Sequence, residues 1–173
     1  MNKKEKIIFS ALYLFSKNGF TETSIDKIAK HAQVSKGLTY SHFKNKDDLL
    51  RVVIESTITE MTNKMMEMES NSISSLLQNL KKGLIEDKDI IRLTLLLLVH
   101  PQTPTSVTEI LEKQKRELIE LLSSFLAEKH KENAKIEAEL LLATMDGITI
   151  DFVLDPNIEN LEKKINYIIN KYK

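Results

Sequence analysis

The chain has 173 residues, and it contains no cysteine, only three prolines and only four glycines. The missing cysteines exclude disulfides, thiolate catalysis and cysteine-based zinc sites, and their absence fits a reducing cytosol. Because helix-breaking residues are rare and long stretches show helical periodicity, the sequence predicts an all-α fold.

Long apolar runs are missing as well. The longest covers residues 93–99, far fewer than the roughly 20 residues that a membrane-spanning helix needs. Near the amino terminus the apolar residues are periodic rather than continuous, and Glu5, Ser10 and Lys17 interrupt them, which argues against a signal peptide. We therefore expect no membrane partner and a cytoplasmic location.

The net charge is zero, but the charges are unevenly distributed. Residues 1–46 hold nine lysines against three acidic residues, a net charge of +6, and residues 47–173 carry the compensating −6. A basic segment in a neutral chain indicates a polyanionic partner such as nucleic acid. Charge also fluctuates between segments that have no such partner, so the split alone leaves both interpretations open.

Apolar periodicity predicts about nine helices. Their predicted positions are residues 3–17, 24–32, 35–41, 45–68, 73–84, 89–100, 106–131, 134–154 and 158–172. Thr23 and Asp26 resemble a capping box for the second helix, while Ser35 and Asn45 are expected to cap the third and fourth. The sixth helix is apolar almost all round and is therefore predicted to be buried.

The second and third predicted helices flank a tight turn at residues 33–34 and form a helix-turn-helix unit, whose second helix reads the major groove. On a helical wheel the third helix presents Lys36, Gly37, Tyr40 and Ser41 on one face. Lys36 can donate to guanine or to a phosphate, and the two hydroxyls can reach phosphate, sugar or base edge. Gly37 costs roughly 1 kcal/mol of helix stability relative to alanine. We expect that its use is close approach of the backbone to DNA.

Residues 19–50, GFTETSIDKIAKHAQVSKGLTYSHFKNKDDLL, resemble the DNA-binding domain of the TetR (tetracycline-repressor-like) family almost throughout. The resemblance implies a homodimeric transcriptional regulator, usually a repressor, that a small-molecule effector releases from a pseudo-palindromic operator. It places seven residues at DNA-facing positions: Ser24, Lys36, Gly37, Tyr40, Ser41, His42 and Lys46. For His42, packing against the first helix is the alternative.

Two positions in this segment depart from the family pattern. Gln33 stands where a glycine is frequent, so the turn must accommodate a side chain. Thr39 stands where the family commonly has a larger aliphatic residue, and its hydroxyl is expected to bond to the carbonyl of Ser35.

The resemblance also implies a division of the chain. Residues 1–46 are expected to form the helix-turn-helix domain, and residues 47–173 a helical ligand-binding and dimerisation domain, with the fourth helix as connector. The helices Ala134–Leu154 and Ile158–Tyr172 are expected to pair with those of a second copy. This carboxy-terminal part matches the family only in length and layout.

Four residues are candidate effector contacts. Met61 and Met65 belong to a methionine-rich stripe that also suits a core, and Arg92 and His100 are equally consistent with surface positions. The histidines lack metal-ligand spacing, so neither a metal site nor a cofactor is predicted. Asp146 and Asp151 are interpreted as structural.

No nucleophile or cofactor motif accompanies these carboxylates, so the protein is not expected to be an enzyme. Two alternatives to the effector-responsive regulator remain. One is an architectural or constitutive DNA-binding protein without an effector, which a filled carboxy-terminal core would favour. The other is a helical enzyme with this amino-terminal segment, which catalytic residues converging in a pocket would favour.

Overall fold

The computed structural model describes residues 1–67 and 71–172, except for the side chains of residues 65–67 and 128–131. Within these ranges the chain forms α-helices and one 3₁₀ turn, Lys131–Asn133, and no strand. The helices are α1 (Lys3–Asn18), α2 (Ile25–His31), α3 (Lys36–His42), α4 (Lys46–Glu67), α5 (Ile73–Glu86), α6 (Lys88–Val99), α7 (Thr105–His130), α8 (Ala134–Leu154) and α9 (Ile158–Lys171). The predicted all-α class is confirmed, and none of the described helices is long and apolar enough to cross a membrane.

The chain forms two compact units. The first comprises residues 1–60 and 89–110, and the second comprises residues 61–88 and 111–173. This division follows packing, whereas the predicted boundary between residues 46 and 47 separates functions, so that boundary stays a prediction.

In the first unit, α1, α2 and α3 contact one another. Their core and the start of α4 bury mainly aliphatic and aromatic side chains: Ile7, Ala11, Phe15, Ile28, Ala29, Phe43, Leu49, Leu50 and Val53. Full burial of each large side chain contributes about 1.5–3 kcal/mol. This core holds the short helix α3, whose seven residues are too few to be stable alone.

The helix α2 starts where it was predicted to start, but its cap differs from the predicted capping box. Ser24 is the cap, and its hydroxyl accepts a hydrogen bond from the backbone N–H of Lys27. Thr23 is fully buried, and its hydroxyl donates to the carbonyls of Gly19 and Leu14. The predicted capping box at Thr23 is therefore wrong, because this side chain turns inward to close the turn between α1 and α2.

The predicted burial of α6 is also wrong. Leu93 and Leu97 are buried, but Leu96 and Leu98 are each 47% exposed and Val99 is 80% exposed. The two buried leucines are four residues apart and lie on one stripe of the helix. The helix therefore packs along a single side, although its composition is apolar on every side.

In the second unit, α5 packs against α8 and α9, and α8 packs against α9. One side of α8 is buried there through Ala138, Leu141, Leu142, Met145, Ile148 and Phe152. In α9, Leu161, Ile165 and Ile168 are buried in the same unit, whereas Ile158 and Tyr167 are exposed. Most of the apolar stripe of α9 therefore serves packing within the chain.

The opposite side of α8 carries a second apolar stripe, here called the outer seam. Its members are Ile136, Leu140, Ala143, Gly147, Ile150 and Leu154, and all six are exposed. They follow one another at intervals of four, three, four, three and four residues, which is the spacing of a helix–helix packing seam. An alanine side chain at Gly147 would meet no other atom within 4 Å. Packing within the chain therefore does not require this glycine.

Candidate nucleic-acid interface

The turn between α2 and α3 places the two helices against each other. Gln33 adopts the left-handed conformation with φ 56°, which costs a residue with a side chain roughly 1 kcal/mol. Its backbone N–H donates to the carbonyl of Lys30, and the N–H of Val34 donates to that of Ala29. The turn thus accommodates the exposed side chain of Gln33, as predicted.

The inner side of α3 anchors the helix. Thr39 is fully buried, and its hydroxyl donates to the carbonyl of Ser35 over 3.5 Å, as predicted. Ser35 also caps the helix as predicted, because its hydroxyl accepts from the N–H of Leu38. Phe43, directly after the helix, is only 2% exposed. These contacts fix which side of α3 faces outward.

The outer side of α3 carries Lys36, Gly37, Tyr40 and Ser41, all exposed. The ring of Tyr40 is 48% exposed, and its hydroxyl has no hydrogen-bond partner in the part of the chain that the structure describes. The hydroxyl of Ser41 donates to the carbonyl of Leu38 and keeps its acceptor lone pairs. We call these four residues the α3 face.

The fold does not require glycine at position 37, because alanine would fit there equally well. A Cβ atom built on it meets no other atom within 4 Å. The residue lies inside a helix, and its φ is not in the positive range. Glycine therefore lowers helix stability by about 1 kcal/mol relative to alanine without a compensating contact inside the chain.

Lys36 is paired across the helix-turn-helix. Its Nζ atom lies 2.9 Å from Oδ1 and 3.0 Å from Oδ2 of Asp26 in α2. The hydrogen bond and the negative charge of this carboxylate raise the pKa of Lys36. The sequence analysis did not predict the ion pair between Asp26 and Lys36. An acidic residue in a segment so rich in lysine was a signal for such a pair.

Lys46 joins the start of α4 to the turn between α1 and α2. Its Nζ donates to the carbonyls of Phe20, at 3.1 Å, and Thr21, at 3.4 Å, and lies 4.3 Å from the centre of the Phe20 ring. The residue is half-buried. Lys46 therefore connects α4 to the turn between α1 and α2. A phosphate contact by this residue stays a prediction.

The side chains of Asn45 and Asp48 fix the first turn of α4. Asn45 caps it as predicted, because its side chain accepts from the N–H of Asp48. The carboxylate of Asp48 accepts from the N–H of Lys44 and binds Arg51. These hydrogen bonds hold the pKa of Asp48 below its ordinary value. They tie the segment after α3 to α4.

The remaining predicted DNA-facing residues, Ser24 and His42, are exposed. Ser24 lies at the start of α2, where free N–H groups suit a phosphate. The ring of His42 lies beside that of Phe43, with 6.2 Å between ring centres. The structure thus leaves both accessible, and their contact with DNA stays a prediction.

Met61, Arg92 and His100, three of the predicted effector contacts, are exposed. Their contact with an effector stays a prediction. The side chain of Met65 lies outside the described residues. The second unit instead has an open pocket of about 450 Å³, lined by Asn71, Ser72, Ile73, Ser74, Ser124, Phe125, Ile169 and Tyr172. Across the described residues, no three His, Asp or Glu side chains are grouped as metal ligands.

Residues 7–53, which contain the whole helix-turn-helix, match the model of the tetR family of bacterial regulatory proteins. The amino-terminal domain of the chain therefore belongs to the TetR family. The family predicted from residues 19–50 is confirmed. The chain also resembles individual regulators beyond the matched segment.

YerO, an HTH-type transcriptional regulator of Bacillus subtilis, is 44% identical over 69 residues, which are 40% of this chain and 24% of YerO. IcaR, the negative transcriptional regulator of the biofilm operon icaADBC in Staphylococcus epidermidis, is 30% identical over 106 residues, 60% of this chain and 57% of IcaR. The aligned regions span less than two thirds of either relative. A solved transcriptional regulator from Aquifex aeolicus VF5 is 23% identical with a TM-score of 0.82, over 99% of this chain and all of that one. That likeness shows the TetR fold.

Proposed function

We propose that the protein is a homodimeric repressor that binds a pseudo-palindromic operator through two copies of the α3 face and leaves it when a small effector binds. The observation that carries this proposal is the α3 face itself. It is exposed, its glycine is not explained by the fold, and it lies in a segment with a net charge of +6.

Three residues of the α3 face have defined roles in this proposal. Lys36 donates to a base or phosphate oxygen, and the free hydroxyl of Tyr40 donates to a phosphate. Gly37 allows the backbone of α3 to lie against the floor of the major groove. Ser24 and His42 contact the phosphates that flank the groove.

The outer seam of α8 supports the dimer. Six exposed residues with helix-packing spacing form an apolar stripe of the kind that interacting surfaces bury. Gly147 lets a second helix approach closely, since no atom of its own chain occupies that space. A second copy of α8 presents the same stripe, and a two-fold axis makes such a surface self-complementary. In this proposal α9 contributes further exposed residues to the interface, such as Tyr167.

The open pocket of the second unit supports the response to an effector. Its volume of about 450 Å³ lies in the range of small-molecule sites. Phe125 and Ile169 supply apolar surface, and Ser74 and Ser124 supply hydroxyls. We propose an amphipathic effector with an apolar body and hydrogen-bonding groups. It releases DNA only if it binds the DNA-incompetent arrangement more tightly.

Selection of duplexes from a randomised pool, followed by footprinting, tests the DNA-binding part. We expect two half-sites whose centres are about one helical turn, roughly 34–36 Å, apart. Lys36→Ala should weaken binding, whereas Lys82→Ala, an exposed lysine in α5, should not. A wild-type protein that enriches no sequence would contradict the proposal.

The effector part is tested by adding a panel of amphipathic small molecules to the complex with the selected duplex. At least one compound should release the duplex from the wild type but not from Ser124→Trp, which fills the pocket. Release from both proteins would place the effector elsewhere. No release by any compound would favour an effector-independent DNA-binding protein.

A further inference from the structure

The ion pair between Asp26 and Lys36 joins the first turn of α2 to the first residue of α3. Both oxygens of the carboxylate lie within 3.0 Å of the Lys36 ammonium nitrogen. The two side chains are 63% and 56% exposed, and exposed ion pairs contribute little to stability. The ion pair itself therefore adds little to the stability of the fold, although the carboxylate also suits the positive amino-terminal end of α2.

Asp26 differs from the other acidic residues of the basic segment. Glu5 caps the start of α1 together with Asn2, and Glu22 makes no ion pair. Within residues 1–46, all of which the structure describes, only Asp26 pairs with a lysine. The acidic residue of this segment that pairs with a lysine thus pairs with Lys36, which belongs to the α3 face.

The carboxylate of Asp26 affects the two kinds of DNA contact differently. A Lys36 ammonium group has three N–H donors, and two of them can serve the two oxygens of Asp26. A phosphate at the third donor would bring a second negative charge close to the carboxylate. A neutral base acceptor such as guanine O6 or N7 is not repelled in this way.

We propose that Asp26 is a specificity-determining residue, which disfavours contact between Lys36 and phosphate and reserves this lysine for a base acceptor. The proposal rests on the proposed function. It assigns Asp26 an effect on sequence-independent binding that is larger than its effect on operator binding. Phosphate contacts dominate binding to random DNA, whereas base contacts carry the sequence information.

The test measures the affinity of Asp26→Asn for two probes, a random-sequence duplex and the duplex selected by the wild-type protein. Glu22→Gln is the matched control, because it removes the same charge from an exposed residue that has no ion pair. Affinities are measured by fluorescence anisotropy over a series of salt concentrations. Lys36→Gln and the double variant Asp26→Asn/Lys36→Gln complete the set, and thermal unfolding checks that each variant folds.

Asp26→Asn should bind the random duplex about threefold to tenfold more tightly than the wild type. Its dependence of log K on log salt should steepen by about one unit, the value for one added phosphate contact. Affinity for the selected duplex should change by less than about twofold, so the specificity ratio falls. The same substitution should have no effect when Lys36 is already Gln.

Three results would overturn the inference: equal behaviour of Asp26→Asn and Glu22→Gln, an equal gain on both duplexes, or a gain that persists without Lys36. The failure of the proposed function looks different. In that case the wild-type protein itself enriches no sequence, whereas failure of this inference alone leaves a selective wild type together with one of the three results above.

Discussion

The α3 face and the outer seam of α8 are built alike and surrounded differently. Each is an exposed side of a helix, and each contains a glycine, Gly37 or Gly147, at which a Cβ atom would meet nothing. Around Gly37 stand a lysine and two hydroxyl residues, whereas Leu140 and Ile150 lie on the same face as Gly147. Since glycine weakens both helices and alanine would fit at both positions, the proposal assigns each glycine to a contact outside the chain.

The chemistry around each glycine then identifies the partner. A phosphate-lined groove suits ammonium and hydroxyl groups. It would not provide the apolar surface that an apolar stripe needs for its burial. A second helix with the same apolar stripe suits the outer seam. The comparison therefore gives two linked expectations: each glycine marks a contact surface, and the chemistry of its neighbours indicates the kind of partner.

The largest effect is expected for a charge placed in the outer seam. Ile150→Arg should raise the dissociation constant of the dimer by at least about a hundredfold, because an unpaired charge would be buried between two copies. Sedimentation velocity over a range of concentrations measures this. Leu96→Arg is the control, since Leu96 and Ile150 are both 47% exposed. Equal dissociation in both variants would show that the outer seam is not specifically the dimer interface.

A smaller effect, with opposite signs for folding and binding, is expected for Gly37→Ala. The free energy of unfolding should rise by about 0.5–1 kcal/mol, because alanine favours the helix and meets no neighbour. Operator affinity should fall about tenfold, the equivalent of one lost base contact. Urea unfolding and anisotropy titration measure the two quantities. Unchanged affinity would show that the backbone at Gly37 does not approach DNA.

The smallest effect is expected at Gln33. This position is the reverse of Gly37 and Gly147, because the fold favours glycine here and the sequence has a larger residue. Here the backbone has φ 56°, which favours glycine, and yet the residue has a side chain. Gln33→Gly should stabilise the fold by about 0.5 kcal/mol, since relief of the left-handed strain exceeds the added freedom of the unfolded chain. Gln33→Ala keeps a Cβ atom and should bring no gain in urea unfolding. Equal gains in both variants would mean that the conformation is not the cause.

Much of the helix-turn-helix was predictable because its determinants are local. A cap and the N–H group it binds are three residues apart, so Ser35 and Asn45 identify helix starts directly. The wheel positions of Lys36, Gly37 and Tyr40 follow from helix geometry alone. These features need no knowledge of how helices cross.

Contacts between helices could not be predicted in this way. Lys46 and Phe20 are 26 residues apart, and Asp26 and Lys36 are ten apart, so each pair depends on the packing of two helices. The exposure of Leu96 in α6 was missed because periodicity records which residues are apolar and not how many neighbours are available. The outer seam was legible in the spacing of its residues, but only the structure shows that the other side of α8 is already buried.

The empty space beside Gly37 has a consequence for laboratory evolution. A library screened only for survival of heating would enrich alanine there, because nothing in the molecule resists it. If Gly37 contacts DNA as proposed, successive rounds would then yield heat-stable proteins that bind their DNA site less tightly. Selection for heat tolerance in this protein should therefore be coupled to a reporter of transcription.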